Sequence, residues 1–206
     1  SFMDNITWVD ALKLRGSWGA LGNQDAVPLD NYLNTIKIGS DYNFNGIAVD
    51  GAQQNVSTNY YAKWEKVYMS NVGIDGTVLN GKLNFTIDYF VKNSKGILLQ
   101  PTTSAYYGWA KAAVENQGEV RNKCLEVMLT YNGAIGDDFK YSVSGNMSYI
   151  KNKIVSLGNS PTTISGVFIN QVGGSVGDFY GYKSAGIFTS QEEIDHSPDQ
   201  TVFGKP

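Results

Sequence analysis

Gly173-Gly174-Ser175-Val176-Gly177 matches G-x-S-x-G, the sharp turn that exposes a serine nucleophile in many hydrolases. Glu193 and His196, the only histidine, follow in the order that such a triad needs. That chemistry requires a buried strand before the serine and a helix after it. Phe179-Tyr180-Gly181-Tyr182 has no helical pattern, so a flexible Gly/Ser loop is expected and no catalytic residue is assigned. Asp41-Tyr42-Asn43-Phe44-Asn45-Gly46 opens like a calcium loop, but its twelfth position is Ala52 where a bidentate Glu is needed. Asx-turns account for the same residues, and no metal site is expected. Cys124 is the single cysteine, which excludes a disulfide framework and a multi-cysteine metal site. No phosphate-cradling glycine loop or other cofactor signature is present. The chemistry left is binding. Tyr42, Phe44, Tyr60, Tyr61, Trp64, Tyr106, Tyr107 and Trp109 fall between strand patterns, where exposed rings can stack on sugars or clamp peptides.

The elements that would position these residues are strands. Val72, Ile74, Gly76 and Val78 alternate with Asn71, Gly73, Asp75 and Thr77. Asn80-Gly81, the strongest short hairpin signal, fits a two-residue type I′ turn. Leu83, Phe85, Ile87, Tyr89 and Val91 then alternate with Asn84, Thr86, Asp88, Phe90 and Lys92. Folding about the turn sets Val78 opposite Leu83, Gly76 opposite Phe85, Ile74 opposite Ile87 and Val72 opposite Tyr89. A one-residue slip would mix the faces, so this register is strongly specified. Gly76 opposite Phe85 is expected to be a strand glycine covered by an aromatic ring.

The same alternation marks Leu12 to Gly19 and a second hairpin over roughly 117–152, with residues 132–138 as its turn. Segments 20–63, 93–112 and 156–176 read as loops, with a short strand at Val167–Gln171. Residues 178–190 read as a further strand or a loop turn. Ser190–Asp195 reads as a short helix with Ser190 as N-cap and Glu193 three residues on. Connections therefore alternate between long and very short. Apolar-out, polar-in strands of roughly 9–11 residues joined this way fit a transmembrane β-barrel. Trp18, Tyr68 and Tyr149 would sit near one end of the strands, Tyr131 and Phe139 near the other, as interfacial girdles. Asn71, Asp75, Asn84, Asp88, Glu126 and Asn146 would then point into a wet lumen.

Composition agrees with this. Charged residues are 17% and aromatics 13%, with 23 Gly and 5 Pro. A net charge of −3 without a basic tract argues against nucleic acid as a partner. No apolar run is long enough for a transmembrane helix and no signal peptide is visible, so an internal piece of a longer exported protein is expected. A soluble secreted β-sandwich, binding carbohydrate or acting as an adhesin, would share much of this composition. It would bury its apolar face against a second sheet.

Residues 12–24 (LKLRGSWGALGNQ) resemble the strand-and-loop signature of SusC/RagA-type TonB-linked outer-membrane transporters. So do residues 64–99, 114–132 and 140–157, and residues 177–194 (GDFYGYKSAGIFTSQEEI) resemble the segment that follows. Cys124 departs from the pattern, which has Gly after Asn-Lys. The resemblance implies an all-β chain, residues 1–206, forming about five or six antiparallel strands of a plugged barrel of roughly 22. It implies the later half of that barrel, without plug, TonB box or final strand. It also implies outer-membrane import of oligosaccharides or peptides, a SusD-like surface lipoprotein as partner, and energy from the TonB complex through regions absent here. The bilayer would contact the apolar faces. No enzyme activity and no cofactor are implied.

Overall fold

Alternation on both sides of Asn80-Gly81 builds the centre of the fold, which a computed structural model describes for residues 8–25, 27, 33, 35–101, 106, 111–159, 162–184 and 186–198. Five long strands form one antiparallel sheet in the order β1 (Val9–Asn23), β6 (Glu65–Val78), β7 (Leu83–Leu99), β8 (Glu115–Ile135), β9 (Phe139–Leu157). The four expected cross-strand pairs are present, from Val78↔Leu83 to Val72↔Tyr89. Asn80 and Gly81 have φ of 56° and 79°, the left-handed values that a type I′ turn demands. Leu79 is also left-handed at 60°, and Lys82 N donates to the Leu79 carbonyl at 3.3 Å, closing the turn.

The strands run further than alternation suggested. β1 continues to Asn23, β7 to Leu99, and β8 to Ile135, so the second turn is only residues 136–138. The extensions carry Lys95 and Lys153 in place of apolar residues, which hid them as loop. Segment 20–63 is corrected more deeply. It holds four short strands, β2 (Thr35–Ile38), β3 (Tyr42–Phe44), β4 (Ile47–Val49) and β5 (Ala52–Val56). β2 pairs with β5, and β3 with β4 about Asn45-Gly46, giving a hairpin within a hairpin.

After β9, the strands β10 (Thr162–Ser165), β11 (Phe168–Gln171) and β12 (Asp178–Phe179) form a small sheet of their own. The short strand expected at Val167–Gln171 is β11. Among the described residues of 178–190 only Asp178–Phe179 is strand. The short helix α1 (Gln191–Asp195) starts as expected: Ser190 accepts a hydrogen bond from Glu193 N.

Because antiparallel partners share a face, the register sorts the long strands into two surfaces. One row crosses the sheet as Leu14, Ile74, Ile87, Val127 and Met147, and the next as Gly16, Val72, Tyr89, Leu125 and Tyr149. Among the described residues no second sheet covers this apolar face. Leu14 is 76% exposed, Val143 62% and Met147 59%. A sandwich would bury these side chains, so the sandwich alternative is set aside. Gly76 lies on this face under the Phe85 ring, which a Cβ would strike. Gly133 is covered in the same way by Tyr141. Among the described residues no helix is long and apolar enough to cross a membrane.

Candidate functional site

The opposite face of the same five strands is polar. One row reads Arg15, Gly73, Asp88, Glu126 and Ser148, and the next Lys13, Asp75, Thr86, Met128 and Asn146. A third reads Ala11, Thr77, Asn84, Thr130 and Ser144, and a fourth Ser17, Asn71, Phe90, Cys124 and Ile150. All six residues expected on a lumen side, Asn71, Asp75, Asn84, Asp88, Glu126 and Asn146, therefore share this face.

Its centre is an ion cluster that strand alternation alone did not reveal. Arg15 Nε donates to Asp75 Oδ2 at 2.7 Å and Nη2 to Asp75 Oδ1 at 3.0 Å. The same Nη2 reaches over β6 to Asp88 Oδ2 at 2.9 Å. Gly73 stands between Arg15 and Asp88 in the register, and its missing side chain leaves the space: a Cβ there would meet both. Thr86 donates its hydroxyl to Asp75 Oδ1 at 3.1 Å. Asp88 Oδ1 is shielded from solvent and has no hydrogen-bond donor among the described residues. Glu126 sits directly across from Asp88, and Cys124 Sγ lies 3.7 Å from Glu126 Oε1. Arg15 joins two carboxylates with a third beside them, so the cluster is anionic. Thr77 with Asn84 (2.9 Å) and Thr130 with Ser144 (3.0 Å) extend the hydrogen-bonding surface below it.

At the upper end, polar contacts tie the loop after β9 back onto that strand. Gly173 N donates to the Ile154 carbonyl at 2.9 Å, and Ile154 N to the Gly174 carbonyl at 2.8 Å. Ser175 Oγ donates to the Asn152 carbonyl at 3.3 Å and Val176 N to Asn152 Oδ1 at 2.9 Å. The G-x-S-x-G segment is thus a clamp on the edge of β9. Glu193 bonds Thr189 and His196 bonds the Glu192 carbonyl, both within their own turn. Glu193 is held below the usual carboxylate range, first by the Thr189 backbone N–H and then by its hydroxyl.

The expected binding aromatics are spread out. Tyr42 and Phe44 share strand β3 of the inner hairpin with ring centroids 4.7 Å apart. Asn43 Oδ1 accepts from Gly46 N at 2.7 Å, so a local side-chain-to-backbone bond across the β3–β4 turn engages the calcium-like residues there. Among the described residues no group of three or more His, Cys, Asp or Glu could hold a metal. Tyr60, Tyr61 and Trp64 lie exposed just before β6, with Trp64 packed over Gly22. Tyr106 is fully exposed, and Tyr107 and Trp109 lie outside the described residues. Nothing described brings all eight into one cleft.

No family model matches the chain. Among curated proteins, TonB-dependent receptor P26 of Formosa agariphila is 30% identical over 205 residues, 95% of the chain and 20% of the relative. TonB-dependent receptor P39 of the same organism is 27% identical over 97% of the chain and 19% of its own length. TonB-dependent receptor SusC of Bacteroides thetaiotaomicron is 24% identical over 76% of the chain and 16% of its length. Among solved structures, a RagAB peptide transporter superposes with TM-score 0.73 at 21% identity over 91% of the chain and 20% of that structure's chain. The RagAB peptide importer in its closed-closed state gives 0.70 at 20% identity over 86% of the chain and 19% of that structure's chain. The chain spans about a fifth of the length of the curated relatives above.

Proposed function

We propose an import function for this chain, which is homologous to a stretch of the SusC/RagA-type TonB-dependent receptors of the outer membrane. The five long strands form one wall of a β-barrel whose apolar face meets lipid and whose polar face lines a hydrated path. The observation that carries this reading is the division of charge. Through the middle rows of the sheet, Lys13, Arg15, Asp75, Asp88 and Glu126 all lie on one face and no charged residue lies on the other. A water-soluble sheet would have no reason to bare an uncharged, aromatic-edged surface.

The cargo is an oligosaccharide or a peptide too large for passive pores. The anionic cluster at Arg15, Asp75, Asp88 and Glu126, with the amides Asn71, Asn84 and Asn146, offers donors and acceptors along the path. Tyr42, Phe44, Tyr60, Tyr61, Trp64, Tyr106, Tyr107 and Trp109 contact cargo or a SusD-like lipoprotein lid at the outer rim. The TonB complex supplies energy through parts of the protein outside these residues. The RagAB structures that this chain resembles are of a peptide importer, which supports cargo of this class.

Growth tests the reading. A strain deleted for the full-length receptor should lose growth on defined oligosaccharides or on peptides as sole nutrient, and regain it with the wild-type gene. Unchanged growth on every such nutrient would defeat the import assignment.

A further inference from the structure

Above the row that ends at Tyr149, the outward face of the sheet changes from apolar to basic. Three successive rows carry it. The first is Trp18, Ser70, Val91, Lys123 and Lys151. The second is Ala20, Tyr68, Asn93, Arg121 and Lys153, and the third is Gly22, Lys66, Lys95, Glu119 and Ser156. Six cations therefore share this side with one carboxylate, leaving five net positive charges. Glu119 is 3.7 Å from Lys95 and 3.9 Å from Arg121. Among the described residues Lys66, Lys123, Lys151 and Lys153 have no carboxylate within salt-bridge distance. At same-face spacing of about 6.7 Å per row and about 4.8 Å per strand, the patch covers four strands and, on strands tilted by about 45°, about 9 Å of height beyond the apolar rows.

Two features separate this patch from lysines scattered at a rim. Lys66 pairs directly with Lys95, Lys123 with Lys151, and Arg121 with Lys153. Like charges set directly opposite destabilise a sheet unless an anion lies between them. The patch is also confined to one end. At the other end the outward positions are Tyr131, Gly133, Tyr141 and Phe139, with no cation. Ordinary snorkelling would place cations at both interfaces.

We infer that this outward basic face binds the phosphate-bearing headgroups of anionic lipid in the outer leaflet. The inference rests on the barrel reading, which sets this surface against lipid. Trp18 stands in the lowest of the three rows, 6.5 Å from Tyr68 in the row above it. Arg121, oriented by a 2.7 Å bond from its Nε to Asn93 Oδ1, can fork onto a phosphate, and the lysines can meet it as point charges.

The test uses the full-length receptor extracted in detergent and exchanged into mixed micelles of phosphatidylglycerol and phosphatidylcholine. Retained lipid is counted by native mass spectrometry. Wild type should retain phosphatidylglycerol in preference to phosphatidylcholine, and 0.5 M salt, about five times the usual screening strength, should weaken this. K123Q/K151Q/K153Q should retain it roughly a hundredfold less. K92Q, at similar height on the inner face, should behave as wild type. Heat-modifiable gel mobility confirms that each variant is folded. Equal retention by wild type and the triple variant would overturn the inference, as would full displacement by inorganic phosphate, which would mark a soluble-anion site. If the triple variant does not fold, preference and salt sensitivity in wild type decide. A receptor that needs no detergent would instead sink the barrel reading.

Discussion

The two faces of one sheet, a few ångströms apart through the same backbone, follow opposite rules. On the outward face the middle rows hold Leu14, Ile74, Ile87, Val127 and Met147; on the inward face the adjacent row holds Arg15, Asp88 and Glu126. Each face also has a glycine beneath a larger neighbour. Gly76 is roofed by Phe85, whereas Gly73 lies under the Arg15–Asp88 bridge. Polarity in this protein is thus set by which solvent a side chain meets and not by depth in a core. The fully buried side chains Ile154 and Cys124 belong to the inward upper region, and the backbone of Ile154 is held by the clamp of residues 173–177.

A charge moved to the wrong face should break the contrast most sharply. Val127→Lys should cost about 2–4 kcal/mol in bilayer folding equilibria, while Glu126→Lys, one residue away on the wet face, should cost clearly less. Equal costs would mean that both faces see the same medium. The glycines come next. Gly73→Val places a branched side chain where Arg15 reaches Asp88 and should cost about 1–3 kcal/mol; Gly76→Val, whose Phe85 cover can swing into lipid, should cost less by urea titration. A reversed order would deny the bridge its structural part. The turn is smaller again. Gly81→Ala sets a Cβ at φ 79° and should cost about 1 kcal/mol, seen as faster exchange of the flanking amides.

The smallest effect lies outside the strands. The Glu193 carboxyl has a lowered pKa, so its bonds to Thr189 add stability above the usual carboxylate range, and that stability is lost as pH falls through the lowered value. The Thr189 amide should exchange faster in acid, and Glu193→Gln should flatten that dependence. The residue is exposed, so global unfolding should not shift.

The hairpin about Asn80-Gly81 was legible because turn and alternation agree at every pair over residues 72–89. The strand ends were not, because Lys95 and Lys153 extend the ladder beyond the apolar zone and look like loop. Strands β2–β5 were hidden because three to five residues are too few to show a period, and β2 finds its partner β5 only across the β3–β4 hairpin. Of the site, alternation placed Asp75, Asp88 and Glu126 together but gave Arg15 no role. Its position beside Lys13 and Ser17 on the polar parity of β1 was the available signal.

Local order along the chain determined which side chains share a face, where the tight turns fall and that one surface suits lipid, because a period of two and a left-handed turn are properties of neighbouring residues. Only the folded sheet decided that β1 lies against β6, across residues 24–64, with Arg15 beside Gly73 and within reach of Asp88. That pairing is non-local: many registers would keep β1's apolar side outward, and the one adopted is selected by contacts that exist only once both strands are in place.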